Sequence, residues 1–210
     1  DVILPTESAK PVVLVGTGIE TDRLFTSVMT DHGKLGKSLA DAVIQGKAVK
    51  VGILSGNQSQ LGMRQRLKSV KDKLEEAGIE ISWILSEKEL DKKMRNVEYF
   101  AEQPVDTVIS LDNDDTEKAV DIILNDDRIS WKLYGEGRSE KLIYYLDKGT
   151  IQELAVPNEY YMGYQSIVLA AQNIRYYTDK TEQAEVEFYM VSKDNLYDEE
   201  TSRILFPAVR

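Results

Sequence analysis

Short apolar runs and longer segments with a single apolar stripe follow one another along most of the chain. Residues 49–74 give the clearest example: an apolar run at 49–54, a polar loop at 55–59, and then apolar side chains at 63, 67, 70 and 74. Spacings of three and four residues place side chains on one face of a helix, and short β-branched runs suit buried strands. This stretch therefore predicts a parallel strand, a loop and an amphipathic helix.

The alternation continues on both sides of this stretch. Further strands are predicted at 2–4, 12–15, 79–85, 105–111, 129–134, 150–156 and 185–191, and residues 22–29 have a mixed pattern. Helices are predicted from about Gly33, with Asp31 as the cap, to Gly46, and at 88–102, 117–125, 140–147 and 159–174. Strand and helix repeat about five times through the middle of the chain. This order predicts an α/β fold with a doubly wound parallel sheet.

The composition excludes several classes of protein. With 210 residues and 42% hydrophobic side chains, the chain can form one large domain or two small ones. A net charge of −10 argues against direct nucleic-acid binding and against an anionic membrane surface as partner. The absence of cysteine excludes disulfides, thiolate metal sites and thiol catalysis. No apolar run reaches the ~18 residues that a membrane-spanning helix needs.

Two motifs that suggest nucleotide or calcium binding are incomplete. Residues 33–38 end like a phosphate-binding loop, but Asp31 stands where the first glycine belongs, and its charge would repel phosphate. Residues 112–117 are rich in carboxylates, but Glu117 replaces the glycine that a calcium loop needs at its sixth position. No nucleophile–base pair is recognisable either. We therefore expect no catalysis, no metal and no cofactor.

Polar side chains follow three of the predicted strands. Asn57 and Asn113 each follow a strand, Glu136 lies in a glycine-flanked turn after another, and Arg66 is in the helix after Asn57. The carboxyl ends of parallel strands meet at one edge of a sheet, where ligands of open α/β folds bind. Hydrogen-bonding groups collected there predict a site for a small, polyhydroxylated molecule.

In this order and spacing, the strand ends resemble those of a known family. The chain is similar to the type I periplasmic sugar-binding proteins, which share their fold with the effector domains of lac-repressor-like regulators. The similarity spans about residues 1–192 and rests on residues 11–15 with 29–36, 52–56 with 64–66, 108–114, 146–149 through 161–164, and 188–191. The resemblance implies that Arg66, Asn113 and Glu136 contact the hydroxyl groups of a sugar. Asn57 and Asn158 are further candidate ligand-binding residues.

The sequence also departs from the pattern of this family. Glu136 stands where the family usually has aspartate, and residues 16–17 are Gly-Thr in place of an Asp-Arg pair. Pro157, beside Asn158, replaces a glutamine before the last long helix, and Ser69 replaces a glycine. These differences leave open a ligand other than the common hexoses and pentoses, or a degraded site.

The resemblance also implies a domain organisation. Residues 1–28 correspond to the last strands of lobe one and a crossover, residues 29–180 to lobe two, and residues 181–210 to a returning strand and a tail. Most of lobe one is thus expected to precede Asp1. The edges of strands 2–4 and 12–15 would then be unpaired, so we expect that a homodimer can form through them.

By the same resemblance, the expected function is binding without chemistry. The chain would be the sugar-binding component of an ABC-type importer or of a sensor, closing about a hinge on its ligand and meeting a membrane permease or sensor partner. Its location would be extracytoplasmic, either periplasmic or as a cell-surface lipoprotein. The alternative is the effector-binding domain of a lac-repressor-like transcription regulator, which is cytoplasmic and touches no nucleic acid through this segment. An α/β nucleotide-binding enzyme is the least favoured reading.

Overall fold

Strands and helices alternate through most of the chain, of which the computed structural model describes residues 12–18, 26–94, 98–176 and 183–206. The strands are β1 (Val13–Val15), β2 (Thr26–Met29), β3 (Lys50–Leu54), β4 (Glu80–Leu85), β5 (Thr107–Ser110), β6 (Lys132–Glu136), β7 (Ile151–Pro157), β8 (Gln183–Glu185) and β9 (Phe188–Ser192). The helices are α1 (His32–Gln45), α2 (Leu61–Glu76), α3 (Glu87–Lys93), α4 (Glu98–Glu102), α5 (Asn113–Asn125), α6 (Glu140–Lys148), α7 (Glu159–Tyr176) and α8 (Glu199–Leu205).

The described strands form two sheets. The large sheet has the order β4-β3-β5-β6-β7-β9, and all neighbouring strands are parallel except β9, which runs antiparallel to β7. The small sheet has the order β1-β2-β8 and is parallel throughout. The predicted α/β fold with a parallel sheet is therefore confirmed.

Helices cover both faces of the large sheet because side chains alternate along each strand. Val51 and Ile53 of β3 pack in one buried cluster with α1 and α2, whereas Leu54 packs in a second cluster with α5, α6 and α8. The helix α7 instead packs on β1 and β2 of the small sheet, where Met162 and Leu169 contact a third cluster. Because β3, β5, β6 and β7 are parallel, their carboxyl ends meet at one edge of the large sheet.

The chain passes between the two sheets three times within the described residues. It leaves the small sheet between β2 and α1, returns between β7 and α7, and leaves again between β8 and β9. At the first passage, Asp31 accepts a hydrogen bond from the N–H of Lys34 and caps α1, which confirms the predicted start of this helix. Short connections at such passages are the places where two groups of elements rotate about a hinge.

Glycines bring α1 and α2 into close contact. A Cβ atom at Gly36 of α1 would stand 2.5 Å from the backbone oxygen of Arg66. A Cβ atom at Gly62 of α2 would stand 2.5 Å from Nε2 of His32. Because neither glycine carries a side chain, the backbone of Arg66 comes close to α1 and the ring of His32 comes close to α2. His32 and Arg66 thus meet between the two helices.

The strand β6 differs from its predicted bounds. The sequence predicts a strand at 129–134 followed by a turn at Gly135 and Glu136, but the strand runs from Lys132 to Glu136. The two supposed turn residues instead pair with Leu154 and Ala155 of β7. Pairing with the neighbouring strand has overridden the local turn preference of glycine, so that the Glu136 side chain stands at the strand end itself.

The helix α5 starts earlier than its predicted residue, 117. It begins at Asn113 because Asp112 is the cap and accepts a hydrogen bond, 2.8 Å long, from the N–H of Asp115. Asp114 and Asp115 therefore lie within the first turn. This earlier start places three acidic side chains at the carboxyl end of β5.

Three other elements also differ from the predictions. The strand predicted at 185–191 is two strands, β8 and β9, which belong to different sheets. The helix predicted at 88–102 is described as α3 and α4 on either side of residues 95–97. The mixed segment at 22–29 ends in β2, which lies in the middle of the small sheet. In each case long-range pairing or packing decides what local pattern leaves ambiguous.

Some predictions fall outside the described residues, namely the strand at 2–4 and the first part of the mixed segment at 22–29. The division into 1–28, 29–180 and 181–210 stays a prediction, and the packing of α7 on β1 and β2 favours a boundary before this helix. Among the described helices, none is long and apolar enough to span a membrane.

The α1–α2 contact yields a stability prediction. Gly36→Ala should lower the free energy of unfolding by about 1–3 kcal/mol, because the added methyl group meets backbone that cannot move without separating the helices. Urea denaturation of the purified chain measures this change. Gly163→Ala is the matched control, since nothing lies within 4 Å of a Cβ there. The control should be neutral or stabilising by up to about 1 kcal/mol, and equal losses in both variants would contradict the close contact.

Candidate functional site

An open cavity of about 330 Å³ lies at the carboxyl edge of the large sheet. We call it the acidic cavity. Its lining residues are Asn57, Gln60, Met63, Glu87, Asp112, Asn113, Asp114, Asp115, Glu136 and Glu159. Loops and helix starts after β3, β4, β5, β6 and β7 contribute these side chains. The cavity therefore occupies the position at which open α/β sheets bind ligands.

Both sheets contribute to the surroundings of the acidic cavity. Most lining residues follow strands of the large sheet, whereas Glu159 is the first residue of α7, which packs on the small sheet. A ligand in the cavity would thus contact elements from both sides of the passages between the sheets. Rotation about those passages would change the width of the cavity.

Arg66 lies behind the acidic cavity and is held entirely by protein groups. Its side chain is only 5% exposed, its Nη1 donates to the backbone oxygen of Leu111, and its Nε donates to Nδ1 of His32 at 3.1 Å. Nη1 also lies 3.4 Å from Oε2 of Glu136. Arg66 therefore lies beside Glu136 in the described geometry, and its predicted contact with a ligand stays a prediction.

The single histidine links Arg66 to the small sheet. Because the Arg66 Nε–H is always a donor, Nδ1 of His32 accepts, and the proton of the neutral ring is on Nε2. Nε2 then donates to the backbone oxygen of Gly16, at 2.8 Å, just after β1. Burial and the nearby Arg66 charge lower the pKa of His32 to about 4, so the ring is neutral at physiological pH. The sequence offers no sign of this pairing, since the two side chains are 34 residues apart.

Glu136 is a buried carboxyl group at the wall of the acidic cavity. The residue is 8% exposed. Burial raises its pKa to about 7, and repulsion from Asp112 and Glu159 adds to the rise, which the Arg66 guanidinium opposes. Near neutral pH this group exchanges readily between a charged acceptor and a neutral donor. A ligand that places a positive charge or a hydrogen-bond donor beside it would favour the charged form.

Asp115 is a second buried carboxyl group in the lining. The residue is fully buried, and its Oδ2 has no hydrogen-bond partner among the described residues. Burial and repulsion from Asp112 raise its pKa to about 6, against the attraction of Lys118, whose Nζ lies 3.3 Å from Oδ1. A backbone hydrogen bond from Gly56 also stabilises the charged form, and Oδ2 is itself buried from solvent.

The three asparagines that the sequence predicts as ligand contacts have different surroundings. Asn57 and Asn113 line the cavity, but their amide oxygens already accept from backbone N–H groups: that of Ser59 for Asn57, and those of Arg138 and Ser139 for Asn113. Asn158 is placed by the fold at the start of α7. Its amide oxygen accepts from the N–H of Tyr161 and caps this helix.

The structure thus brings four of the five predicted residues, Arg66, Asn113, Glu136 and Asn57, to one edge of the sheet. It adds carboxylates that the sequence did not single out, at positions 87, 112, 115 and 159. Recognition of these from sequence would have required knowing that β4, β5 and β7 end at the same edge of the large sheet. Among the described residues, no three histidine or carboxylate side chains are grouped so as to hold a metal ion.

The raised pKa of Asp115 predicts a pH-dependent effect of Asp115→Asn. At about pH 3 the carboxyl group is mostly protonated in both the folded and unfolded states, so the variant and the wild type should differ little in its charge contribution. Between its unfolded pKa and about 6, the unfolded state loses the proton first, and wild-type stability falls as pH rises. The free energy of unfolding of the variant relative to wild type should therefore increase by roughly 3 kcal/mol from about pH 3 to pH 7.5, at about 1.4 kcal/mol for each pKa unit. Urea denaturation at several pH values measures it; a difference that does not change with pH would mean that Asp115 is solvated.

Several solved structures are similar in fold to this chain. A carbohydrate transporter solute binding protein from Agrobacterium radiobacter, solved with D-arabinose, has a TM-score of 0.82 and 16% identity, and the match covers 93% of this chain and 70% of that one. GanP, a glucose-galactose binding protein from Geobacillus stearothermophilus, has a TM-score of 0.77 and 22% identity over 89% of this chain and 69% of that one. A protein described as a LacI transcriptional regulator, from Bacillus cereus subsp. cytotoxis, has a TM-score of 0.74 and 16% identity over 87% and 66%.

At these identities the solved structures share the fold with this chain. A search among curated proteins finds no match. The sequence model of the family described as periplasmic binding protein domain matches residues 7–177, which is most of the chain. The chain therefore belongs to the periplasmic binding protein domain family.

Proposed function

We propose that this protein binds a small carbohydrate or polyol in the acidic cavity, as the solute-binding component of an ABC-type importer or of a sensor. The observation that carries the proposal is the position of the cavity, at the carboxyl edge of the large sheet and beside the start of α7. The family consists generally of non-enzymatic binding proteins. Solved structures of the same fold hold D-arabinose, D-fucose and myo-inositol as bound molecules.

The chemistry of the lining suits hydroxyl groups. Carboxylates and amides accept hydrogen bonds from hydroxyls, and charged acceptors form the stronger bonds. Glu136 is held in one orientation by Arg66, which is in turn held by His32 and by the backbone of Leu111. The ligand thus meets a rigid acceptor, and no loss of side-chain freedom opposes binding at this position.

Closure about the three passages completes the proposed mechanism. Ligand contacts from the large sheet and from Glu159 of α7 favour the conformation in which the two sides approach each other. A membrane permease or a sensor partner would recognise that closed form. The proposed location is extracytoplasmic. A homodimer through the edge of β1, which pairs only with β2 among the described strands, is also part of the proposal.

A regulator is the second candidate, since a LacI-type protein is among the structures that share the fold. In that case the same cavity would bind an effector, and the complete protein would bind duplex DNA in a ligand-dependent way. Fluorescence anisotropy of labelled duplexes with the complete gene product distinguishes the two. DNA binding that a sugar releases would replace the transport proposal.

Isothermal titration calorimetry of the full chain with a panel of neutral sugars and polyols, D-arabinose, D-glucose, D-galactose and myo-inositol, tests the proposal. At pH 8, where the Glu136 carboxyl group is charged, at least one of them should bind. Glu136→Gln should weaken that binding about tenfold or more, because a charged acceptor contributes roughly 1.5–3 kcal/mol.

Glu153→Gln is the matched control. Glu153 lies in the adjacent strand β7 and is also partly buried, but it does not line the acidic cavity. The control should keep wild-type affinity. If no sugar or polyol binds the folded wild-type chain, or if both variants lose affinity equally, the carbohydrate proposal is wrong.

A further inference from the structure

We propose that a turn of the small sheet holds the two sheets in the ligand-binding orientation before any ligand is present. We call this turn, residues 16–18, the latch turn. Two hydrogen bonds carry the inference, one from the start of α1 and one from the start of α2, and both end on the latch turn. The inference rests on the proposed function, because it concerns how that site is prepared for its ligand.

The latch turn belongs to the small sheet. It follows β1 directly, and the N–H of Gly16 donates to the backbone oxygen of Val28 in β2, at 2.9 Å. Gly16 has a φ of 82°, in the left-handed region that glycine adopts without strain. The latch turn therefore moves with β1 and β2 in any rotation about the passages between the sheets.

The first hydrogen bond comes from α1, which packs on the large sheet. His32 is the first residue of this helix and is 4% exposed, and its Nε2 donates to the backbone oxygen of Gly16 at 2.8 Å. The ring also lies against the start of α2, since a Cβ atom at Gly62 would stand 2.5 Å from Nε2. Rotation of the two sheets away from each other would break this buried hydrogen bond.

The second hydrogen bond caps α2 from the small sheet. Gln60, at the N-cap position, makes no capping hydrogen bond through its side chain within the described part of the chain, and the first N–H groups of a helix have no partner inside it. The N–H of Gly62 instead donates to Oγ1 of Thr17, 3.3 Å away. Cδ2 of Leu61 lies 3.4 Å from the position of a Cβ atom at Gly18 and adds an apolar contact. The other sheet thus supplies the cap of this helix.

His32 connects the latch turn to the acidic cavity. Its Nδ1 accepts from Nε of Arg66 at 3.1 Å, and Nη1 of Arg66 lies 3.4 Å from Oε2 of Glu136, which lines the cavity. Neither His32 nor Thr17 is among the residues that line the cavity. His32 is therefore a positioning residue, which acts on the site through Arg66 and through the orientation of the sheets.

The latched orientation is one that admits a ligand. With both hydrogen bonds formed, the acidic cavity is open, and Glu159 of α7 shares its lining with residues of the large sheet. Ligand binding would then select an orientation that is already populated. Loss of the latch lowers the population of this orientation, and the apparent affinity for the ligand falls by the same factor.

Distances between spin labels test the inference without any ligand. Because the chain has no cysteine, Lys88→Cys in α3 and Gln172→Cys in α7, both at exposed positions, give one defined pair of labels across the two sheets. Double electron–electron resonance of the labelled full chain should give a single narrow distance distribution. Thr17→Val, which removes the hydroxyl acceptor but keeps the size of the side chain, should broaden this distribution.

Thr150→Val is the matched control. Thr150 lies directly before β7, at the opposite edge of the large sheet, and is also partly exposed. This variant should keep the wild-type distance distribution. His32→Gln, which retains a donor and an acceptor, should stay closer to the wild type than His32→Leu, which retains neither. Equal effects of these two variants would overturn the role of His32 as a hydrogen-bonding link.

Calorimetry measures the consequence for the site, with the sugar of the panel that binds the wild type. Thr17→Val should weaken this binding about two- to tenfold, which is the effect of losing one typical hydrogen bond. A saturating concentration of the same sugar should narrow the distance distribution of the variant again. Unchanged affinity in Thr17→Val would overturn the claim that the latched orientation is the one that binds.

The outcomes separate the two proposals. Identical label distances in the wild type and in Thr17→Val overturn the latch and leave the proposed function standing. Absence of binding by every sugar overturns the proposed function, and with it the ligand-binding role of the latched orientation. In that case the label distances still decide whether the latch turn holds the two sheets together.

Discussion

The buried guanidinium of Arg66 is the group on which the arrangement of the site depends. Removing such a charge from water is unfavourable unless several partners compensate it. Here the partners come from different parts of the chain: the carbonyl of Leu111 after β5, the carboxyl of Glu136 at the end of β6, and the ring of His32 at the start of α1. The ring continues the contact to Gly16 after β1. One side chain of α2 thereby ties together the strand ends of the large sheet and the small sheet.

The contacts of Arg66 hold the wall of the acidic cavity in place, but the buried carboxyl groups in this wall lower the stability of the folded protein. The carboxyl groups of Glu136 and Asp115 have pKa values raised to about 7 and about 6, and each is thus less stable as an ion in the folded protein than in water. Such groups are retained where a ligand compensates them, and perturbed carboxyl groups in a cleft are typical of functional sites. Under the proposed function, a bound ligand would supply an interaction that compensates the buried carboxyl group of Glu136.

The sequence predicts the architecture well and the site only in outline. The period of apolar residues identifies β3, α2 and the repeating strand–helix order, because these follow from local burial. It misses that Gly135 and Glu136 continue a strand, since pairing with β7 is not visible in local turn preference. The sequence places Arg66 and Glu136 at the same edge of the sheet and predicts that both contact the ligand. It does not predict their contact with each other, because this depends on the close approach of α1 and α2 at Gly36 and Gly62.

A pH titration of the side-chain carboxyl resonances by carbon-13 NMR measures the central claim most directly, because it reports the ionisation of Glu136 and Asp115 in the intact chain. The account predicts midpoints of about 7 for Glu136 and about 6 for Asp115 in the absence of ligand. Midpoints near the ordinary value of about 4 for both groups would contradict it. They would mean that burial does not dominate the ionisation of these groups, because water or, for Glu136, the Arg66 guanidinium fully stabilises the charged form.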